Sequence, residues 1–412
     1  MKLLKDHTSS VWDKILIFVC IFMLFTQLRA LLRVFFPSIN EIIFLLAGCV
    51  IVAYLVKELF WKKAYVWLLT YFLVVLLNFL SGDFYFDSLG DAIQEVAILF
   101  FTSAIVYYSM QRQKVQLSKH LLFLTLLLII YYSISSLKIE INNPGIIRET
   151  VYMANIGETT FLNNLYFQGL INYQLPHALP ILIPPLIMNV REKKNSWIWR
   201  LLYLSALIAI AVIVYISNAA TALFLSVLML ILSWIVRKET LGKNVPWIIL
   251  IAIIAVPFLY NIDVILKPLL RLFSSTENTL YYDKIESILR SSEMGTATGS
   301  VASREAKYDI TLAQISENIL LGTNQQTGGH SAIFDRLACL GIIGWIPYLC
   351  FLFFQIKITK KHLAPDTLIY YYLGLTAALI MLASKNMSNW ETWFMALTIL
   401  PLLLWFPKQK VS

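Results

Sequence analysis

Long apolar runs, separated by short polar segments, set the pattern of this chain. Nearly uncharged stretches cover residues 15–28, 42–56, 64–80, 92–108, 121–137, 175–190, 197–216, 219–236, 245–260, 338–354, 368–383 and 390–406. With a few flanking residues, each approaches the roughly 20 residues a helix needs to cross a hydrocarbon core. The pattern predicts an all-α polytopic membrane protein with twelve transmembrane helices, forming a single integral domain over residues 1–412. The run at 175–190 holds Pro176, Pro180, Pro184 and Pro185, so a kinked or broken helix is expected there.

The polar segments fall into two kinds. Most are short, but residues 138–173 and 261–329 form long loops, and long loops tend to carry function. With the N-terminus inside, the basic clusters Lys57/Lys62/Lys63, Arg112/Lys114/Lys119, Arg191/Lys193/Lys194, Arg237/Lys238/Lys243 and Lys357/Lys360/Lys361 all share one side. Lys2, Lys5, Lys14, Lys408 and Lys410 join them, while the short loops opposite hold only Lys385. Lysine and arginine excess marks the cytoplasmic side. Both termini are therefore expected in the cytoplasm of a bacterial inner membrane, with both long loops outside.

Composition agrees. The chain is 59% hydrophobic and 14% charged, where a soluble globule carries about a quarter charged residues. The net charge of +9 is a topology signal and gives no reason to expect a nucleic-acid partner. The first apolar run follows a polar start with no small-residue cleavage site and reads as an uncleaved span. Cys20, Cys49, Cys339 and Cys350 lie inside the runs without metal-ligand spacing and read as apolar packing.

Within the second long loop, residues 264–273 are amphipathic with Lys267 and Arg271, suiting a helix on the membrane surface. Residues 281–289 place Ile285, Ile288 and Leu289 on one face. Ser303 is a candidate N-cap for a helix over 304–321 ended by Gly322.

Chemistry outside the cytoplasm has no nucleotide sugars, so a substrate there must arrive already activated, for instance as a lipid diphosphate. Arginine forks suit diphosphate oxygens, and a histidine near neutrality suits an attacking hydroxyl. The chain has five histidines; one, His330, ends the 261–329 loop at the mouth of an apolar run, followed by Asp335 and Arg336. Charge at a membrane helix end is costly unless it has a partner or a task. The other outer cations are Arg148, Arg271, Arg290, Arg304 and the pair Arg29 and Arg33, one helical turn apart. Each has a plainer reading: Arg29 and Arg33 as snorkelling side chains, Arg271 as an interfacial anchor, Asp335 and Arg336 as partners of each other or of neighbouring helices. Asp83, Asp87 and Asp91 recur every four residues, but Gly82 and Gly90 favour a loop with Asp91 as a helix N-cap over a metal site. No HExxH, Walker loop or GxSxG is present, and neither metal nor cofactor is expected.

The segments Leu321-Gly322-Thr323, Gly329-His330-Ser331, Asp335-Arg336-Leu337 and Gly341-Ile342-Ile343-Gly344 resemble the carboxy-terminal signature of the O-antigen ligase/polymerase superfamily. Ser303-Arg304 opens the preceding helix, and Pro176-His177 resembles a motif of polysaccharide polymerases. The match covers about residues 303–344, and one departure stands out: the arginine often found near the start of the 219–236 span is Asn218 here. The resemblance implies a metal-independent, inverting glycosyltransferase of the GT-C type, with large outer helical loop between the ninth and tenth spans. It would act on an oligosaccharide linked to undecaprenyl diphosphate, with a chain-length regulator protein as a candidate partner. His330 and Arg304 would be catalytic; Arg336, Asp335, Arg271, His177, Arg33 and Arg29 would bind substrate. A polymerase extending lipid-linked repeat units of O-antigen or capsule is the first reading, and a ligase onto lipid A-core its close relative. A polysaccharide flippase is the rival from another class; it predicts two related halves, which the chain does not display.

Overall fold

An apolar chain can satisfy its backbone groups away from water by closing them into helices. The computed structural model describes residues 10–36, 40–80, 89–236, 286, 299–323, 331–385 and 389–409, and its described elements are all helical. The main helices are α1 (Val11–Leu24), α2 (Thr26–Phe35), α3 (Ile42–Leu55), α4 (Lys63–Leu80), α5 (Leu89–Gln111) and α6 (Val115–Asn142). Then follow α7 (Ile146–Asn155), α8 (Thr159–Phe167), α9 (Leu175–Ala178), α10 (Ile183–Arg191), α11 (Trp197–Ile216) and α12 (Ala220–Ile235). The carboxy-terminal part holds α13 (Gly299–Glu317), α14 (Ala332–Lys360), α15 (Leu368–Ser384) and α16 (Trp390–Trp393). A π-helical stretch, Phe394–Ile399, leads into α17 (Leu400–Gln409).

Among the described residues, seven helical segments are long and apolar enough to cross a membrane, and eight if the bent α1–α2 pair counts as one span. They coincide with seven of the predicted runs. The other five behave differently. The run at 15–28 is not one straight span: it breaks at Phe25, whose extended backbone turns α2 by 92° from α1. The runs at 42–56 and 219–236 form helices of 14 and 16 residues. The proline-rich run is divided, as expected, into α9, a 3₁₀ turn over Leu179–Leu182 and α10. The run at 245–260 lies outside the described residues.

Register contacts define two ends of the bundle. Tyr108 donates to Asp13 at 2.9 Å, and Lys114 lies 3.4 Å from the same carboxylate. Arg112 pairs with Glu58, Lys62 lies over Tyr107, and Lys63 over Phe354. The basic residues near α1, α4, α5 and α14 thus gather at one end. Arg191 closes α12 by donating to the carbonyls of Ser233 and Trp234, where a cation complements the negative helix end. At the opposite end lie the first turns of α5 and α14, the last turns of α1 and α4, and the start of α16, aligned by Tyr71–Glu95, Phe101–Phe394 and Thr398–Thr102.

At that end α14 carries a defect. Gly341 has φ 59° and ψ −170°, a conformation essentially restricted to glycine. The break releases backbone groups that the chain before α14 takes up. Ile342 N–H donates to Ile319 O at 2.9 Å, Ile343 N–H to Leu320 O, and Thr323 N–H to Ala338 O. Gly322, at φ 78°, sits against this crossing; a Cβ there would stand 2.2 Å from the Cys339 carbonyl oxygen. A Cβ on Gly341 would stand 2.2 Å from Leu320 O. Gly322 ends the turn, as the sequence suggests, but the helix itself runs over Gly299–Glu317, so Ser303 is interior to it and not its N-cap. Asp91 is likewise inside the first turn of α5, which opens at Leu89, rather than its cap.

Candidate functional site

Two buried polar clusters occupy the end of the bundle away from the basic residues. The first forms where α1 gives way to α2. Breaking a helix frees carbonyls, and Arg29 uses Nη1 to cap one of them, Met23 O, at 2.7 Å. Its Nη2 donates to Thr26 Oγ1 at 2.7 Å and reaches Glu391 Oε1 at 3.2 Å. Thr26 and Asn172 also donate to that oxygen, at 3.1 and 2.8 Å, and Trp390 places its ring 5.2 Å from the guanidinium carbon. Gln27 donates to Leu170 O at 2.9 Å, tying α2 to the chain entering α9. A charge in an apolar bundle is tolerated when it is paired and hydrogen-bonded. The plainer reading of Arg29, a side chain snorkelling to the interface, gives way to burial and pairing, with only 4% of the residue exposed. Arg33, half-exposed, pairs through both ends of its fork with Glu41 at the start of α3.

The second cluster joins α4, α5 and α14. Arg336 donates through Nε and Nη2 to Glu95 Oε1 at 3.0 and 2.7 Å, and through Nη1 to Ala332 O. Tyr71 donates to the same Glu95 oxygen, and the guanidinium lies 4.6 Å from the centre of the Tyr348 ring. All three nitrogens of Arg336 are engaged, which gives it a bundle-tying role; of its two plainer readings, the partner is a neighbouring helix and not Asp335. Asp335 instead accepts from Ser331 N–H at 3.2 Å and Thr311 Oγ1 at 3.3 Å. Ser331 in turn caps α14 through Phe334 N–H and contacts Leu382 O. Tyr348 also meets Trp393 edge to face at 6.2 Å, so the second cluster touches α16, the helix that carries Glu391.

His177 is buried on α9, which packs against α16, with Nδ1 3.0 Å from Tyr173 O and its ring 4.9 Å from the Tyr173 ring. Arg304 lies on α13, but its side chain, with His330 and Arg271, lies outside the described residues. So do Asp83, Asp87 and Arg290. Among the described residues no three His, Cys, Asp or Glu side chains converge as a metal site. Asn218 occupies a left-handed turn between α11 and α12 at φ 53°, a conformation in which asparagine is enriched.

The acidic partners Glu95 and Glu391 are absent from the residues singled out in the sequence. Their signal was available: each is an acid within an otherwise apolar run, where charge calls for a partner.

The long apolar helices among the described residues, with buried ion pairs tying α2 to α16 and α5 to α14, define an all-helical, multi-pass membrane protein. Compared with protein-family models, curated proteins and solved structures, the chain finds no match.

Proposed function

We propose that this protein is a polysaccharide polymerase, transferring a glycan from undecaprenyl diphosphate to a sugar hydroxyl of another lipid-linked repeat unit at the outer face of the bacterial inner membrane. In this reading the anomeric carbon leaves the diphosphate oxygen and bonds to the acceptor oxygen. His330 orients the acceptor hydroxyl and takes its proton, while Arg304 with a second cation stabilises the departing diphosphate. The GT-C-like assignment and the twelve crossings belong to the same reading: seven long helices, the bent α1–α2 pair, two short apolar helices, the broken helix and the run at 245–260 make up the count.

The observation that carries it is the backbone crossing of Gly322 and Gly341. Two halves of the resembling signature, separated in sequence, meet through three backbone hydrogen bonds. Thr323 and Ser331, the residues on either side of the segment containing His330, are each anchored to α14. Gathering of basic residues at the other end supports an outer location for this one. A transport reading draws on the broken helix over α9 and α10, since discontinuous helices line many transport sites.

The test is deletion of the gene in its native strain with gel analysis of surface polysaccharide. A polymerase mutant leaves single-repeat-unit lipopolysaccharide or loses its capsule; a ligase mutant accumulates long chains on the carrier lipid; a flippase mutant traps repeat units on the cytoplasmic side. Unchanged surface glycan overturns the reading, as does wild-type chain length in His330→Ala.

A further inference from the structure

The Arg29–Glu391 cluster is incomplete in its hydrogen bonding. Glu391 Oε1 accepts from Thr26, Arg29 and Asn172, while Oε2 of the same carboxylate is buried without a partner. Arg29 is similar: Nη1 and Nη2 are engaged, and buried Nε is not. Two adjoining residues also carry partnerless buried atoms, Oε1 of Gln27 and Oγ1 of Thr392. All four residues are nine-tenths or more buried, at 4% exposed for Arg29 and Gln27, 1% for Glu391 and 0% for Thr392. Leaving such groups unmade is costly, and a concentration of them within one cluster asks for a ligand.

The chemistry of the orphan atoms narrows the ligand. Arg29 and Glu391 cancel in charge, so an anion would gain no net attraction and would face a carboxylate and an amide oxygen. A metal cation would face the guanidinium. A hydroxyl both donates and accepts, which matches an orphan acceptor, Glu391 Oε2, and an orphan donor, Arg29 Nε. Trp390, stacked on Arg29, adds an aromatic surface to the same cluster. We infer that this cluster binds a neutral polyhydroxylated ligand, a sugar unit, with Glu391 and Arg29 gripping a hydroxyl and Thr392 beside them. The choice of a sugar as the hydroxyl source rests on the polymerase reading; the hydrogen-bond argument does not.

Saturation-transfer NMR on the full-length protein in nanodiscs tests this, with a panel of free neutral hexoses and N-acetylhexosamines as probes and inorganic phosphate as the charged control. Wild type should transfer to at least one sugar and leave the phosphate line unbroadened. Thr392→Val, which keeps side-chain shape and removes an orphan hydroxyl, should weaken transfer at least fivefold with an unfolding temperature at or above wild type. Glu391→Gln, which turns the orphan acceptor into a donor, should do the same if it folds; Thr392→Val decides if it does not. Absent transfer in wild type, which would leave only bound water to fill the site, overturns the inference. So does undiminished transfer in Thr392→Val, or phosphate binding lost in the variants. Unchanged surface glycan in the deletion strain would sink the polymerase reading without touching this result, so the two failures are distinct.

Discussion

Glu95 on α5 and Arg336 on α14, 241 positions apart in the chain, meet with Nη2 2.7 Å from Oε1 in a region where Arg336 is 1% exposed. Two charges sealed among apolar helices hold each other, and neither has water to fall back on. Tyr71 from α4 completes the contact, so one carboxylate oxygen ties three helices.

Removing one member of that pair strands the other. Glu95→Ala should cost about 3–5 kcal/mol, the range for breaking a buried ion pair. A double replacement, Glu95→Leu with Arg336→Met, should recover much of the loss, because no unpaired charge remains. Thermal unfolding in detergent reads both; a Glu95→Ala protein that melts with wild type removes the pair as a structural tie.

The glycine crossing makes a sharper demand. Gly322→Ala and Gly341→Ala each place a Cβ 2.2 Å from a carbonyl oxygen and adopt a positive φ. Each should destabilise the protein by about 1–3 kcal/mol from backbone strain alone, with more from the overlap. Gly145→Ala serves as a control, since its φ is also positive but nothing lies within 4 Å of the added carbon. Equal losses at all three sites would show that overlap contributes nothing.

Orientation is open to cysteine labelling in a background lacking the four native cysteines. Lys361→Cys, at the basic end, should react with a membrane-impermeant maleimide only after the inner membrane is opened. Tyr152→Cys, exposed on α7, should react in intact spheroplasts. The reverse pattern would invert the topology.

His362, half-buried in the turn after α14, has its pKa lowered by burial and secondarily by Lys361. In the window below 6.5 the unfolded chain therefore binds more protons at this site than the folded one. Stability contributed by neutral His362 is present above pH 6.5 and is lost as pH falls through the lower folded value. Wild type should lose more stability than His362→Gln between pH 7 and pH 5; parallel curves would contradict the shift.

Periodicity and composition were enough to determine the class of this protein. Apolar runs of membrane length can satisfy their backbones only as helices, and the positions of lysine and arginine mark the two ends. The four prolines of residues 175–190 likewise announced a broken helix, because proline removes donors wherever it stands. Other features were not legible, since they depend on what lies across the bundle. Arg29 is spaced as a surface cation, and only the packing of α16 beside α2 shows that Glu391 neutralises it. Arg336 reads from the sequence as a partner of Asp335, of a neighbouring helix or of substrate, and only the packing of α5 shows that Glu95 pairs with it. The break at Phe25 falls in a run with no proline or glycine; it is sustained by Arg29 capping the freed Met23 carbonyl. Local sequence decides which groups must be satisfied. The tertiary structure decides which distant residues satisfy them, because pairings over hundreds of positions leave no periodic trace in the chain.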